Sequence, residues 1–198
     1  NPGVELRELP DLGVRSPVGG LSDTESTMTG TSFPGVSASG SFPPDPQIAA
    51  GPNHIVQVAN VKIAWFDKGT GNKQFEQSLG ISGFFAGVAA NGFVFDPKVF
   101  FDQVSQRFFV VALDKDSSRS SLLIAVSDDA NPSGQWNRYR FEIAREIDGN
   151  DYWFDYPGWG YNKDCIVATG NMFSFASNGF GAVQIVAMPK APFLTGQT

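Results

Sequence analysis

The sequence predicts an all-β fold of β-propeller-like blades, each a four-stranded antiparallel sheet, with about three blades in this chain. Three observations predict it. Short apolar runs recur, each begun by an acidic residue and a proline and ended by Gly, Asp or Asn. Turn formers are abundant, with 22 Gly and 13 Pro among 198 residues, as short strands joined by turns require. No window long enough for a helix keeps a helical period, and 78–90 is too rich in glycine to do so.

The bulk numbers bound the function. Hydrophobic residues are 41% and charged residues 17%, so the chain can bury a core, and 198 residues suit one domain. The net charge of −6 leaves no basic patch for nucleic acid. No apolar run approaches the roughly 20 residues of a spanning helix, so no membrane span is expected. The single Cys165 leaves no partner for an intrachain disulfide. The single His54 rules out His-rich zinc sites and limits triad chemistry. The start Asn1-Pro2-Gly3 lacks signal-peptide regions and reads as a processed terminus. Low Lys with abundant Gly, Asn, Ser and Phe reads as a secreted bacterial protein.

Residues 1–44, rich in Ser, Thr, Gly and Pro, are expected to form an extended N-terminal arm or linker with a short strand near Val36. A partial β-propeller is expected over 45–198, in units of about 45–90, 96–145 and 155–192. The first strands begin Asp45-Pro46-Gln47-Ile48, Asp96-Pro97-Lys98-Val99 and Asp155-Tyr156-Pro157-Gly158. Second strands follow at His54–Ala59, Arg107–Leu113 and Cys165–Thr169. Third strands follow at Val61–Phe66, Leu122–Val126 and Ala182–Met188. Fourth strands fit Lys73–Gln77 and Trp136–Ile143. Pro46, Pro97 and Pro157 lie 51 and 60 residues apart, close to the blade period. A plain β-sandwich would explain the strands but not the repeated turn chemistry.

Proline has a fixed φ and no donor, so it suits the first residue of a strand, and an aspartate before it can bond nearby amides. Asp45, Asp96 and Asp155 would then stand at related heights around a channel. They form either a ring of carboxylates for a cation or three turns solving one local problem. Asn60 and Asn171 each follow the unit's proline by 14 residues, and Asp114 is their nearest equivalent in the middle unit. Such residues face a ligand or simply end strands. Asp148, Asn150, Asp151 and Asp155, with Glu146, are the densest acidic cluster. Their oxygens suit calcium in a non-EF loop, since Trp159 stands where an EF-hand needs Glu, or they form a solvated turn. Tyr152, Trp153, Tyr156, Trp159 and Tyr161 make a sugar-stacking platform if exposed and blade packing if buried. His54 lacks a Gly-x-Ser-x-Gly partner motif and reads as a strand-start residue; Cys165 reads as a small buried hydrophobe. Any two acidic residues at catalytic separation would serve glycoside hydrolysis, which spacing does not decide.

Two resemblances follow from these motifs. The run from Pro44-Asp45-Pro46 to Asn60, then Asp96–Asp102 with Arg107-Phe108, Asn131–Trp136 and Asp155-Tyr156-Pro157 resembles secreted bacterial proteins with propeller-like repeats. The likeness spans about residues 44–190. It implies a fold and an exported or cell-surface location, with no catalytic residues, and members of that family continue into further repeats. Ser127, Asp129, Gly134 and Trp136 resemble a stretched Asp-box of sialidase-type propellers, which implies a structural rim turn and no sialidase activity.

Three blades do not close a ring of 4–8. Another chain or a second copy is therefore the expected partner, unless residues 1–44 add a blade. The expected function is a non-catalytic extracellular binding or assembly module, with carbohydrate as a candidate ligand and calcium as the one candidate cofactor. The alternatives are a carbohydrate-active enzyme using Asp or Glu in the channel, of hydrolase or lyase type, and half of a two-chain enzyme. Asn60, Asp114, Asn171, Trp159 and Tyr161 are the candidate ligand-binding residues; Asp45, Asp96, Asp148, Asp151 and Asp155 are the candidate metal ligands.

Overall fold

A computed structural model describes residues 30–90 and 93–196. The architecture below is that of the unit Ser32–Thr198. Residues 1–29 of the expected arm lie outside the described residues.

The described strands form three four-stranded antiparallel sheets, as the sequence predicts. The first holds β1 (Gln47–Ala50), β2 (His54–Ala59), β3 (Lys62–Asp67) and β4 (Lys73–Ser78). The second holds β5 (Val94–Asp102), β6 (Arg107–Lys115), β7 (Ser120–Ser127) and β8 (Trp136–Glu142). The third holds β9 (Arg145–Ile147), β10 (Asn150–Tyr161), β11 (Cys165–Ser174) and β12 (Phe180–Pro189). A short helix, α1 (Ala191–Thr195), follows, although no window of the sequence keeps a helical period. Pro192 at its start and Gly196 in the left-handed region at φ 70° delimit it.

The middle sheet is covered on both faces. Phe108, Val110 and Ala112 of β6 pack with Val56, Val58, Ile63 and Trp65 of the first sheet. The alternate residues Phe109, Val111 and Leu113 pack with Phe154, Ile166, Ala168 and Met172 of the third. Every residue of β7 is buried, so its sequence reads as a continuous apolar run rather than an alternation.

The third sheet departs from the expected blade. Its order is β12-β11-β10-β9, with β10 in the place that β1 and β5 hold. Beyond β12 there is no counterpart of β4 or β8 among the described residues. Instead β9 pairs with the first three residues of β10, at the opposite edge. β12 is therefore an edge strand of ten residues, with Phe180, Val183 and Ile185 exposed by 62%, 59% and 71%.

The strand expected near Val36 is absent. The Val36 amide donates to Gln57 Oε1 at 2.8 Å, and Phe33 packs on Phe66 with ring centroids 5.6 Å apart. The Ser37 hydroxyl bonds the Glu76 carboxylate. Side chains of the first sheet thus hold this segment where a ladder would otherwise have to form. Glu76, held also by Lys73 and Lys62, has its pKa lowered to about 2.

Two local features generate predictions. Lys190 Nζ donates to Asp102 Oδ2 at 2.8 Å, with both side chains out of solvent, and so ties the end of β12 to the end of β5. Burial pushes the Asp102 carboxyl up, but hydrogen bonds from Lys190, Ser105 and the Val104 amide outweigh it and hold the pKa below the usual value. The stabilisation is therefore full above the unfolded aspartate value of about 4 and is lost as pH falls through the lower folded value. Lys190→Met, which strands the buried carboxylate, is expected to cost about 3–5 kcal/mol in urea unfolding at neutral pH, and adding Asp102→Leu should recover much of it. Separately, Val61 sits at φ 65° in the two-residue turn joining β2 to β3. A β-branched residue is strained there by roughly 1–2 kcal/mol, so Val61→Gly should raise the melting temperature.

Candidate functional site

The inner strands β1, β5 and β10 bring the repeated aspartates together. The residue before each proline has positive φ: Asp45 at 41°, Asp96 at 47° and Tyr156 at 50°. The ladder register jumps between Phe95 and Lys98 in β5 and between Asp155 and Gly158 in β10. A bulge there lifts the donor-less proline out of the ladder. Two expectations are corrected. In β5 and β10 the proline lies inside the strand rather than at its first residue. The third structural equivalent of Asp45 and Asp96 is Tyr156, and Asp155 is one residue out of phase.

The second repeated position also shifts. Asn171 pairs with Asp155, and the Asn60 amide donates to the Pro44 carbonyl at 2.7 Å. In the middle sheet the matching pair is Leu113 with Phe95, while Asp114 pairs with Val94. Asp114 is fully buried and accepts a hydrogen bond from the Ala90 amide at 2.8 Å.

A chain of hydrogen bonds crosses the sheets at this level. Asn60, only 8% exposed, donates through Nδ2 to Asp45 Oδ2 at 3.0 Å and to the Pro43 carbonyl at 2.9 Å. Its Oδ1 accepts from the Asp96 amide at 2.7 Å, joining the first sheet to the second. Asp96 Oδ2 accepts from the Tyr156 amide at 3.2 Å, joining the second to the third. The role of Asn60 as a bridge between sheets was not foreseen; its fixed distance from Pro46 was the available signal.

Two carboxyls at this level, Asp96 and Asp155, resist ionisation. Burial pushes the Asp96 pKa above the usual value, and the Asp45 charge adds to it, against the Tyr156 hydrogen bond. Burial likewise raises Asp155, with the Asp96 charge as the next cause. The pair can hold a proton or attract a cation. Among the described residues, no group of three or more His, Cys, Asp or Glu side chains is gathered to hold a metal. Asp148 and Asp151 lie exposed at the β9–β10 hairpin and are not brought into one group with Asp45, Asp96 and Asp155.

Tyr152, Trp153 and Trp159 pack against the core, whereas Tyr156 and Tyr161 are exposed. Trp159 is half-buried against the core between the second and third sheets. Tyr161 stacks on Phe100 with centroids 4.4 Å apart and donates its hydroxyl to the Phe101 carbonyl at 3.1 Å. Lys115 lies 4.3 Å from the Trp153 ring and Lys98 lies 4.6 Å from the exposed Tyr156 ring. His54 starts β2 and Cys165 starts β11, both half-buried. The Ser127–Trp136 segment is the β7–β8 turn, held by Trp136 Nε1 donating to the Pro132 carbonyl at 2.8 Å and Ser127 Oγ donating to the Asp129 carbonyl at 2.6 Å.

No family model matches the chain, and no curated protein matches it. Among solved structures, the chain is similar to an exo-1,5-alpha-L-arabinanase from a bovine ruminal metagenomic library, with 10% identity and a TM-score of 0.43. The similarity covers 73% of this chain and 52% of that one, so this chain spans about half of its length. At that score the likeness carries no argument about chemistry. No helix among the described residues is long and apolar enough to cross a membrane.

A carboxyl raised in the folded state binds its proton more tightly there, so its contribution to stability declines as pH rises through the folded value. Asp155→Asn removes that repulsion. It should melt higher than the parent at neutral pH, and the difference should shrink below about pH 4, where the unfolded carboxyl is also protonated. Melting curves across that range check this.

Proposed function

We propose that the chain is a non-catalytic extracellular binding and assembly module whose third sheet pairs, through β12, with β12 of a second copy. The supporting observation is the character of that edge. β12 reads FGAVQIVAMP, without one charged residue, and occupies the place from which β3 and β7 pair onward to β4 and β8. Natural edge strands are blocked by charge, proline or brevity, and only its last residue, Pro189, serves that purpose. Antiparallel self-pairing across a two-fold axis would satisfy its free backbone groups and set Val183 and Ile185 beside their counterparts. The extracellular setting rests on the resemblance to exported repeat proteins.

A second reading is a carbohydrate-active enzyme. It is favoured by the Asp96 and Asp155 pair, since a general acid must keep its proton near working pH. Hydrolysis of a polysaccharide panel by the parent, lost in both Asp96→Asn and Asp155→Asn while each stays folded, would establish it.

The assembly reading predicts a concentration-dependent dimer in sedimentation velocity. Val183→Lys with Ile185→Lys should give a folded monomer whose melting no longer depends on concentration. A parent chain that is monomeric at every concentration tested overturns it.

A further inference from the structure

A cavity of about 430 Å³ runs along the outer edge of β8, where the chain leaving β12 passes over it. Its apolar wall is Val88, Phe141, Met188, Pro192 and Phe193, and no acidic residue lines it. Two arginines do, and they differ. Arg140 is compensated: Nε donates to Ser121 Oγ at 3.0 Å and the guanidinium meets Glu142 at 2.5 Å. The Arg138 guanidinium has no hydrogen bond and no ion pair to any described residue. Arg138 lines this cavity, and its guanidinium lies over the Phe84 ring, 5.1 Å from the centroid, beside a neighbouring cavity that both residues line. Arg138 is exposed, and the part of it buried against its neighbours pushes its pKa below the ordinary arginine value. A cation with no protein partner beside an open, mainly apolar pocket of this size is complementary to one class of small molecule.

We propose that this cavity binds a small amphipathic carboxylate, with its apolar body against Phe141, Met188 and Phe193 and its acidic head on Arg138. The guanidinium fork suits a carboxylate by paired N–H donors, and the ring of Phe84 behind it fixes the plane of the fork. The site is separate from the inner-strand aspartates and from the β12 edge, so it stands independently of the assembly reading.

Calorimetric titration with decanoate, and with 1-decanol as the uncharged match in size, tests it. Decanoate should bind the parent chain at least tenfold more tightly than decanol. Arg138→Gln should lose that tenfold preference while keeping the weak decanol affinity, and Arg138→Lys should retain part of the preference. Phe141→Ala, at a half-buried position, should weaken both ligands together. Equal binding of the two ligands to the parent, absence of decanoate binding, or an unchanged preference in Arg138→Gln would each overturn the proposal.

Discussion

The structure depends on burying both faces of the middle sheet. A sheet that is apolar on two sides has no solvent face to present, so it must be sandwiched. Leu122, Ile124 and Val126 of β7 point one way and Leu123 and Ala125 the other, and none is exposed. Each large side chain so buried contributes about 1.5–3 kcal/mol, which makes the two sheet-to-sheet contacts worth more than any polar feature of the molecule. Stacking on both sides then dictates where the inner strands lie. β5 contacts β1 on one flank and β10 on the other, so whatever residues those strands carry are brought to one place.

What they carry is a bulge with an aspartate on or beside it. The bulge lets proline stay in a strand that would otherwise lose a ladder bond, and it turns the preceding residue to positive φ, where aspartate is among the better tolerated side chains. It also frees the backbone amides of Asp96 and Tyr156 to bond across to the neighbouring sheet. Apolar contacts hold the sheets together, whereas this chain of bonds sets their alignment. Its side effect is to bring Asp45, Asp96 and Asp155 close enough for each charge to raise the next pKa. The bridge uses Asn60, the amides of Asp96 and Tyr156, and the carboxyls of Asp45 and Asp96 as acceptors.

Much of this was legible because the fold writes itself in local patterns. The apolar runs and turn residues located the strands of the first two sheets, including β4 and β8. The failures share a cause, which is that one chain position was decided by a distant one. Val36 has strand-forming chemistry, yet Gln57 takes its amide. Tyr156 displaces Asp155 from the repeat because the bulge is counted from Pro157, while the eye counts from the acidic residue. Asp114 looks equivalent to Asn60, but the bulge before Lys98 shifts the register and leaves Leu113 opposite Phe95. Trp159 and Tyr161 are ambiguous because sequence does not tell a platform from an interface; Phe100 stacks on Tyr161, which stays exposed.

The two ends of the stack are not alike, and the difference is chemical. On the first sheet, β4 carries Lys73 and Glu76 in six residues, and Phe33 covers Phe66. On the third, β12 has no charge, and Val183 and Ile185 face solvent at a place where the pattern of the preceding sheets continues. A lone exposed Ile needs no explanation, but an uncharged edge ten residues long carrying alternate exposed aliphatics is a surface that water disfavours along both its backbone and its side chains. One end of the stack thus carries charge on its edge strand and the other does not. An arrangement that covers the second end satisfies the same requirement that already governs the middle sheet, which is that an apolar sheet face finds another.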